Sequence, residues 1–144
     1  VDITSSSISD NDKFSLNHLV DDNFETLFVS KNEPNQTITI DFKNRRVVPN
    51  CYTLITNRDG VNGNHMKSWV IEVSNDNKNF TRITSESNNV TLNAPGNLVV
   101  FRAFNPQQGR YVRFRQTGPN WHNTDFLALA QIELFGELLE ETDV

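Results

Sequence analysis

Apolar residues in this chain recur with a period of two, and nowhere do they hold helical spacing over a run long enough to matter. The segment T-I-T-I-D-F over residues 37–42 is the clearest case. Successive side chains of a strand leave opposite faces of the backbone, so Ile38, Ile40 and Phe42 point one way and Thr37, Thr39 and Asp41 the other. A helix requires apolar residues at i, i+3, i+4 and i+7 sustained over about 11 positions, and no segment supplies them. Short runs rich in Val, Ile, Thr and Phe are separated instead by Asn, Gly and Pro, the residues that turn a chain. The pattern predicts further strands over residues 52–56, 68–74, 80–84, 98–104, 110–116 and 127–135. Strands of this number and length belong to an all-β sandwich or jelly roll.

With 144 residues the chain fits one domain, able to bury roughly 68–70% of the surface its unfolded form exposes. That domain is read as residues 1–136. The acidic segment E-L-L-E-E-T-D-V over 137–144 carries no turn or strand signal and is expected to be a tail or linker. Its last residues, Thr142, Asp143 and Val144, have the form of a peptide that adds a strand to a partner sheet, an ending common by chance.

A net charge of -5 argues against nucleic acid, since phosphate binding asks for a concentrated basic face. No apolar run approaches the ~20 residues that span a bilayer, and residues 1–12 lack the order of a signal peptide. Cys51 is the sole cysteine, so no internal disulfide forms; it is expected to be a small buried hydrophobe, and the lack of paired cysteines favours a reducing, intracellular setting. The sequons at Asn35, Asn79 and Asn89 carry weight only in a secreted protein.

Long loops on a rigid sheet scaffold are where binding residues sit. Trp121, beside Pro119 and His122, lies in a polar turn; exposed, its ring would stack on a sugar or anchor a protein partner, and the alternative is that it folds back over the end of the sandwich. Arg58, Asp59, Asn62, Asn64 and His65 precede Trp69, and this set of amides, guanidinium and imidazole suits the hydroxyl pairs of a saccharide or a polar peptide; each is equally a solvated turn former. His18, His65 and His122 lack the paired spacing of a zinc motif. No serine sits in a nucleophile elbow, and Glu72 and Glu133 lie in strands, where ion pairing with Arg113 or Arg115 is the plain reading. An enzyme is not expected.

Two stretches carry a family resemblance: S-W-V-I-E-V-S-N-D-N-K-N-F over residues 68–80, and G-R-Y-V-R-F-R-Q-T-G over 109–118 followed by L-A-L-A-Q-I-E-L-F-G over 127–136. In the first, Trp69, Ile71 and Val73 face inward ahead of a polar hairpin turn and Phe80. In the second, Val112 and Phe114 face the core and Arg113 and Arg115 face away, while the closing run is apolar on both faces, as in a central strand. Together they resemble the discoidin family, the coagulation factor V/VIII C-type domains. The resemblance implies an antiparallel jelly-roll β-sandwich of the galactose-binding-like kind, with both termini at one end and ligand loops at the other. Without end-joining cysteines, and with H-M-K-S-W and R-Q-T-G-P-N, the chain looks most like intracellular versions in BTB- or kinase-type signalling proteins of protists.

The segment D-D-N-F-E-T-L-F over residues 21–28 is similar to the loop that wraps calcium in carbohydrate-binding relatives. By that resemblance Asp21, Thr26 and loop carbonyls would be joined by a last-strand carboxylate, but the position is Gln131, with Glu133 two residues on. The expected cofactor is therefore none, or a weakly bound structural calcium; the alternative is that Asp21 or Asp22 only caps the turn. The lipid-binding relatives use apolar loop spikes backed by basic residues. Val61, Met66 and Phe28 offer little of this in an acidic surround, so membrane lipid is not expected. The resulting expectation is a non-catalytic recognition module of a larger protein that binds a glycan or protein partner through loops at one end. A structural spacer, or an intracellular protein-interaction domain with no small-molecule ligand, is the alternative.

Overall fold

A computed structural model of the chain describes residues 1–10, 14–23, 26–58 and 64–140. Its regular secondary structure is nearly all strand. The elements in chain order are β1 (Asp2–Ser5), a 3-10 turn of helix (Leu16–Val20), β2 (Phe28–Val29), β3 (Thr37–Asp41), β4 (Arg45–Ile55), β5 (Trp69–Ser74), β6 (Thr81–Glu86), β7 (Leu98–Arg102), β8 (Tyr111–Gln116), β9 (Ala128–Leu129) and β10 (Gln131–Glu140). A five-stranded sheet in the order β1-β3-β8-β5-β6 packs on a three-stranded sheet ordered β10-β4-β7, and β2 pairs with β9 in a short ribbon. Every pairing is antiparallel. This is the jelly-roll sandwich that the alternating pattern and the resemblance imply.

Between the sheets lies one apolar core in which Trp69, Tyr52, Phe28, Phe114, Leu54 and Ile71 are fully buried. Tyr52 stacks on Phe101 with ring centroids 5.1 Å apart and meets the edge of Phe114 at 6.1 Å; Trp69 meets Phe101 edge-on at 5.4 Å. Both buried polar handles are satisfied at once, because Trp69 Nε1 donates to Tyr52 Oη at 3.0 Å. On β8, Val112 and Phe114 are buried while Arg113 and Arg115 lie on the other face, as their alternation requires.

Several boundaries differ from the pattern reading, each for a physical reason. β4 begins at Arg45, not Tyr52; the charged Arg45-Arg46 pair and Pro49 conceal its first half. The run over 127–135 is not one central strand. It divides into β9 and β10, and β10 is an edge, with β4 in the middle of its sheet. β10 also passes Gly136 and pairs Glu137 to Glu140 with Val48 to Arg45, so four residues assigned to the tail complete the sandwich. Arg45 Nε and Glu140 Oε1 close that end at 3.2 Å. Thr142, Asp143 and Val144 lie outside the described residues. Cys51 is half-buried, opposite Arg102 on β7, rather than sealed in the core. β1 escaped notice because Asp2–Ser5 holds a single apolar residue, Ile3.

The registers orient the whole. Asp2 faces Asp41, Asp41 faces Tyr111, Tyr111 faces Ser74 and Arg45 faces Glu140, which defines one end of the sandwich. Ser5, Thr37, Gln116, Trp69, Ile55 and Gln131 mark the other end. From that second end spring the loops over 30–36, 87–97 and 117–127, the segments 56–58 and 64–68, and the Asp21 segment.

Candidate functional site

The loop end is built around a buried amide. Asn120 is almost fully covered, and its Oδ1 accepts from the backbone N–H groups of His122 (3.0 Å) and Thr124 (3.1 Å). Its Nδ2 donates to Thr124 Oγ1 at 2.8 Å and to the Phe126 carbonyl at 2.9 Å, with Asn64 Oδ1 at 3.4 Å. Thr124 Oγ1 in turn donates to Asn64 Oδ1 at 3.0 Å. A buried side chain so fully bonded fixes its turn, and the turn presents Trp121.

Trp121 is neither a free spike nor a core residue. It is half-buried, its backbone N–H donates to the His65 carbonyl at 3.0 Å and its Nε1 to the Asn89 carbonyl at 3.0 Å. The ammonium of Lys67 stands 4.7 Å from the ring centroid. Three loops thus hold one indole in a single orientation. His122, next to it, is exposed.

Asn64 connects this turn to a cleft of about 330 Å³ lined by Ser9, Phe14, Val29, Asn64 and Phe126. The cleft joins two aromatic rings to an amide and a hydroxyl, a mixture typical of small polar ligands. Arg58 is exposed in the neighbouring loop, and its Cγ lies 3.4 Å from where a Cβ on Gly96 would stand.

His65 departs from expectation. It reaches the same end as His122, but only 3% of it is exposed, so it contributes its carbonyl to Trp121 and not its ring to a ligand. Met66 is also fully buried and Phe28 is a core residue, which removes both as apolar membrane spikes. Asp59, Val61 and Asn62 lie outside the described residues. Among the described residues no cluster of three or more His, Cys, Asp and Glu side chains forms a metal site.

The Asp21 segment closes on itself. Asp21 Oδ1 accepts from the Asn23 N–H at 2.9 Å, the turn cap that a bare aspartate provides, and Oδ2 accepts from Thr26 Oγ1 at 2.8 Å. Asp22 takes a left-handed backbone, φ 56°, and its Oδ1 accepts from Gln131 Nε2 at 3.2 Å, which latches the loop to β10. Gln131 Oε1 is buried and has no hydrogen-bond partner among the described residues. Asp21, Thr26 and the Asn23 carbonyl are oxygen donors of the kind calcium takes, and a cation would satisfy Gln131 Oε1, so the residues fit the ion in kind. Their charge comes from the aspartates alone, since Gln131 is neutral.

Sequence reading missed Lys67, Asn89, Asn120, Phe14 and Phe126. Asn120 and Lys67 lie inside the segments R-Q-T-G-P-N and H-M-K-S-W, so the signal was present, but contact between loops far apart in sequence leaves no local mark. Phe14 and Phe126 are aromatics in polar stretches, which by itself gives no sign of a shared cleft.

Comparison with known proteins agrees with this architecture. Residues 2–131 match the model of the F5/8 type C domain. Among solved structures the chain is similar to CpGH89CBM32-5 from Clostridium perfringens, solved in complex with GalNAc-beta-1,3-galactose, with 19% identity, 94% of each chain covered and a TM-score of 0.75. It is similar to the CBM32 of AlyQ in complex with 4,5-unsaturated mannuronic acid, with 21% identity, 94% of each chain covered and a TM-score of 0.71. It is also similar to a fucolectin from striped bass (Morone saxatilis) serum, at 19% identity and a TM-score of 0.73, over 96% of this chain and 46% of that one. The family match over nearly the whole sandwich, on a fold whose registers gather the loops at the end away from Asp2 and Glu140, means that this chain belongs to the F5/8 type C, or discoidin, domain family.

Proposed function

We propose that this domain is a non-catalytic saccharide-binding module of a larger protein, and that the sugar seats at the loop end beside Trp121. The carrying observation is that an indole of fixed orientation belongs to a turn whose Asn120 and Thr124 are bonded to Asn64, a lining residue of a polar-and-aromatic cleft. A rigid ring stacks on the apolar face of a sugar with little ordering cost, while Asn64, Arg58 and exposed His122 offer donors and acceptors to its hydroxyls. Lys67 adds a cation at the ring, which favours a saccharide carrying negative charge. The sugar complexes of the similar solved modules support the reading.

A glycan-array screen of the purified domain tests this, with Trp121→Ala alongside. The expected result is a saccharide signal that is lost in Trp121→Ala while the domain stays folded; a blank array with folded protein would sink the reading. Repeating the screen in chelator addresses the Asp21 loop. A signal lost there assigns calcium to it, and a signal kept leaves the loop to the Asp21 cap and the Gln131 latch.

A further inference from the structure

The two sheets present unlike outer faces. On the five-stranded sheet the face away from the core is charged, with Glu72 Oε1 lying 2.7 Å from Arg113 Nη2 and 3.2 Å from Arg115 Nε. The three-stranded sheet shows apolar side chains instead. Alternation along β7 turns Phe101 to the core and Leu98 and Val100 outward, where they are 57% and 58% exposed. Register sets Leu98 beside Ile55 and Val100 beside Thr53 on the central strand β4, and Phe135 of β10, also exposed, beside Cys51. The backbone of β7 is as open as these side chains. Thr56 N donates to the Asn97 carbonyl and Ala103 N to the Asn50 carbonyl, each at 2.9 Å, which fixes the phase of the ladder. Residues 97, 99, 101 and 103 therefore turn their backbone groups to β4, and Leu98, Val100 and Arg102 turn theirs to the outer side. No backbone group among the described residues meets them there, and the one side-chain contact is Thr84 Oγ1 to the Arg102 carbonyl, at 3.5 Å.

A bare strand edge invites pairing, and the other three edges of these two sheets are guarded. β1 is four residues long, with Asp2 tied to Lys43 at 3.1 Å. At β6 the Ile83 carbonyl accepts from Phe104 N (2.9 Å) and Asn105 N (3.1 Å). β10 is broken by the register shift between Phe135 and Gly136 and carries Glu133, Glu137 and Glu140. β7, L-V-V-F-R, has no proline, no register shift and a single charge, at its end. We propose that β7 is a self-association edge, on which a second copy of this chain pairs antiparallel about a twofold axis at Val100. In that register Val100 exchanges both hydrogen bonds with Val100 of the second copy, and Leu98 exchanges them with Arg102 of the second copy, so every outward group of the strand is used. Charge favours this occupant. The antiparallel register sets each guanidinium across from Leu98 and holds the two Arg102 residues four steps apart along the strand, about 13 Å. A foreign strand would need its own β-forming run with an apolar outer face, and β7 supplies both in Leu98, Val99 and Val100. The axis stands normal to the sheet, so the loop ends of the two copies point in opposite directions and stay clear of the pairing.

Sedimentation of the purified domain from micromolar to millimolar concentration tests this, with amide exchange by NMR as the second readout. One strand pair is a small interface, so the association is weak. Expected are growth from one copy to two with concentration and, in step with it, slowed exchange at the Leu98, Val100 and Arg102 amides. Val100→Lys sets two ammonium groups face to face at the axis, on a side chain that is exposed in the single copy, and weakens association at least roughly tenfold. Val100→Pro removes an outward N–H that β4 does not use and has the same effect; the Lys variant decides should the Pro variant lose its fold. Trp121→Ala leaves the association unchanged, which keeps this test separate from the loop reading. A domain that stays one copy up to about 1 mM, exchange at those amides that stays fast as the mass doubles, or a dimer that Val100→Lys leaves intact would overturn the proposal. A single copy whose β7 amides slow only when a short alternating Thr-Val peptide is added would give the edge to a foreign strand and overturn it as well.

Discussion

Glu72 is the one acidic side chain buried among the described residues, and both of its guanidinium partners are only partly exposed. Removing it leaves two positive charges side by side, so Glu72→Ala is expected to cost about 2 kcal/mol of stability, and Glu72→Gln, which keeps the shape, somewhat less. Urea unfolding reads both, and an Ala variant as stable as the parent would show that the network contributes nothing. Tyr52 makes a second residue-scale claim. Burial pushes its phenol from 10.0 up to about 12, partly opposed by the Trp69 hydrogen bond. The folded value lies above the unfolded one, so the stabilisation is complete below pH 10 and is lost as pH rises toward 12. The melting temperature should fall more steeply over that window in the parent than in Tyr52→Phe, and parallel curves would contradict it. Trp121 was legible as a loop tryptophan because its polar neighbours announce a turn. His65 was misread because its burial depends on how its loop packs against the sandwich, which composition does not record.

At the scale of elements, the legible strands were those with one face in the core. β3, β5 and β8 alternate or carry dense apolar residues, and their boundaries held to within a residue or so. The first half of β4 and the second half of β10 were illegible for a shared reason: they pair with each other at the base of the sandwich, where an Arg-Arg and a Glu-Leu-Leu-Glu run face solvent. What joins the two halves is the register shift between Phe135 and Gly136, with Gly136 against Pro49, whose missing N–H a bulge tolerates. A Cβ on Gly136 would lie 2.1 Å from the Val48 carbonyl oxygen and 2.9 Å from its carbon, both backbone atoms. Gly136→Ala should therefore lower the melting temperature by several degrees and speed amide exchange over Glu137 to Glu140. Unchanged melting and exchange would mean that the close approach is not required.

The molecule as a whole separates support from recognition. The base, where Asp2 and Glu140 lie, is closed by ion pairs and a bulge, and the Trp69–Tyr52–Phe101 core fixes how the sheets stack. Opposite it, loops distant in sequence converge on Asn120 and Trp121. The fold was legible from strand period and the family resemblance; the site was legible only as a region, since its geometry depends on contacts from Trp121 to Asn89, His65 and Lys67. The two tryptophans supply a direct readout, because Trp69 Nε1 is bonded in the core and Trp121 Nε1 at the loop end. The decisive measurement is an NMR titration of the two indole N–H resonances with saccharides from the array. The account predicts that the Trp121 resonance shifts to saturation while that of Trp69 stays in place. Saccharide that leaves the Trp121 indole unmoved would contradict a carbohydrate site at the loop end.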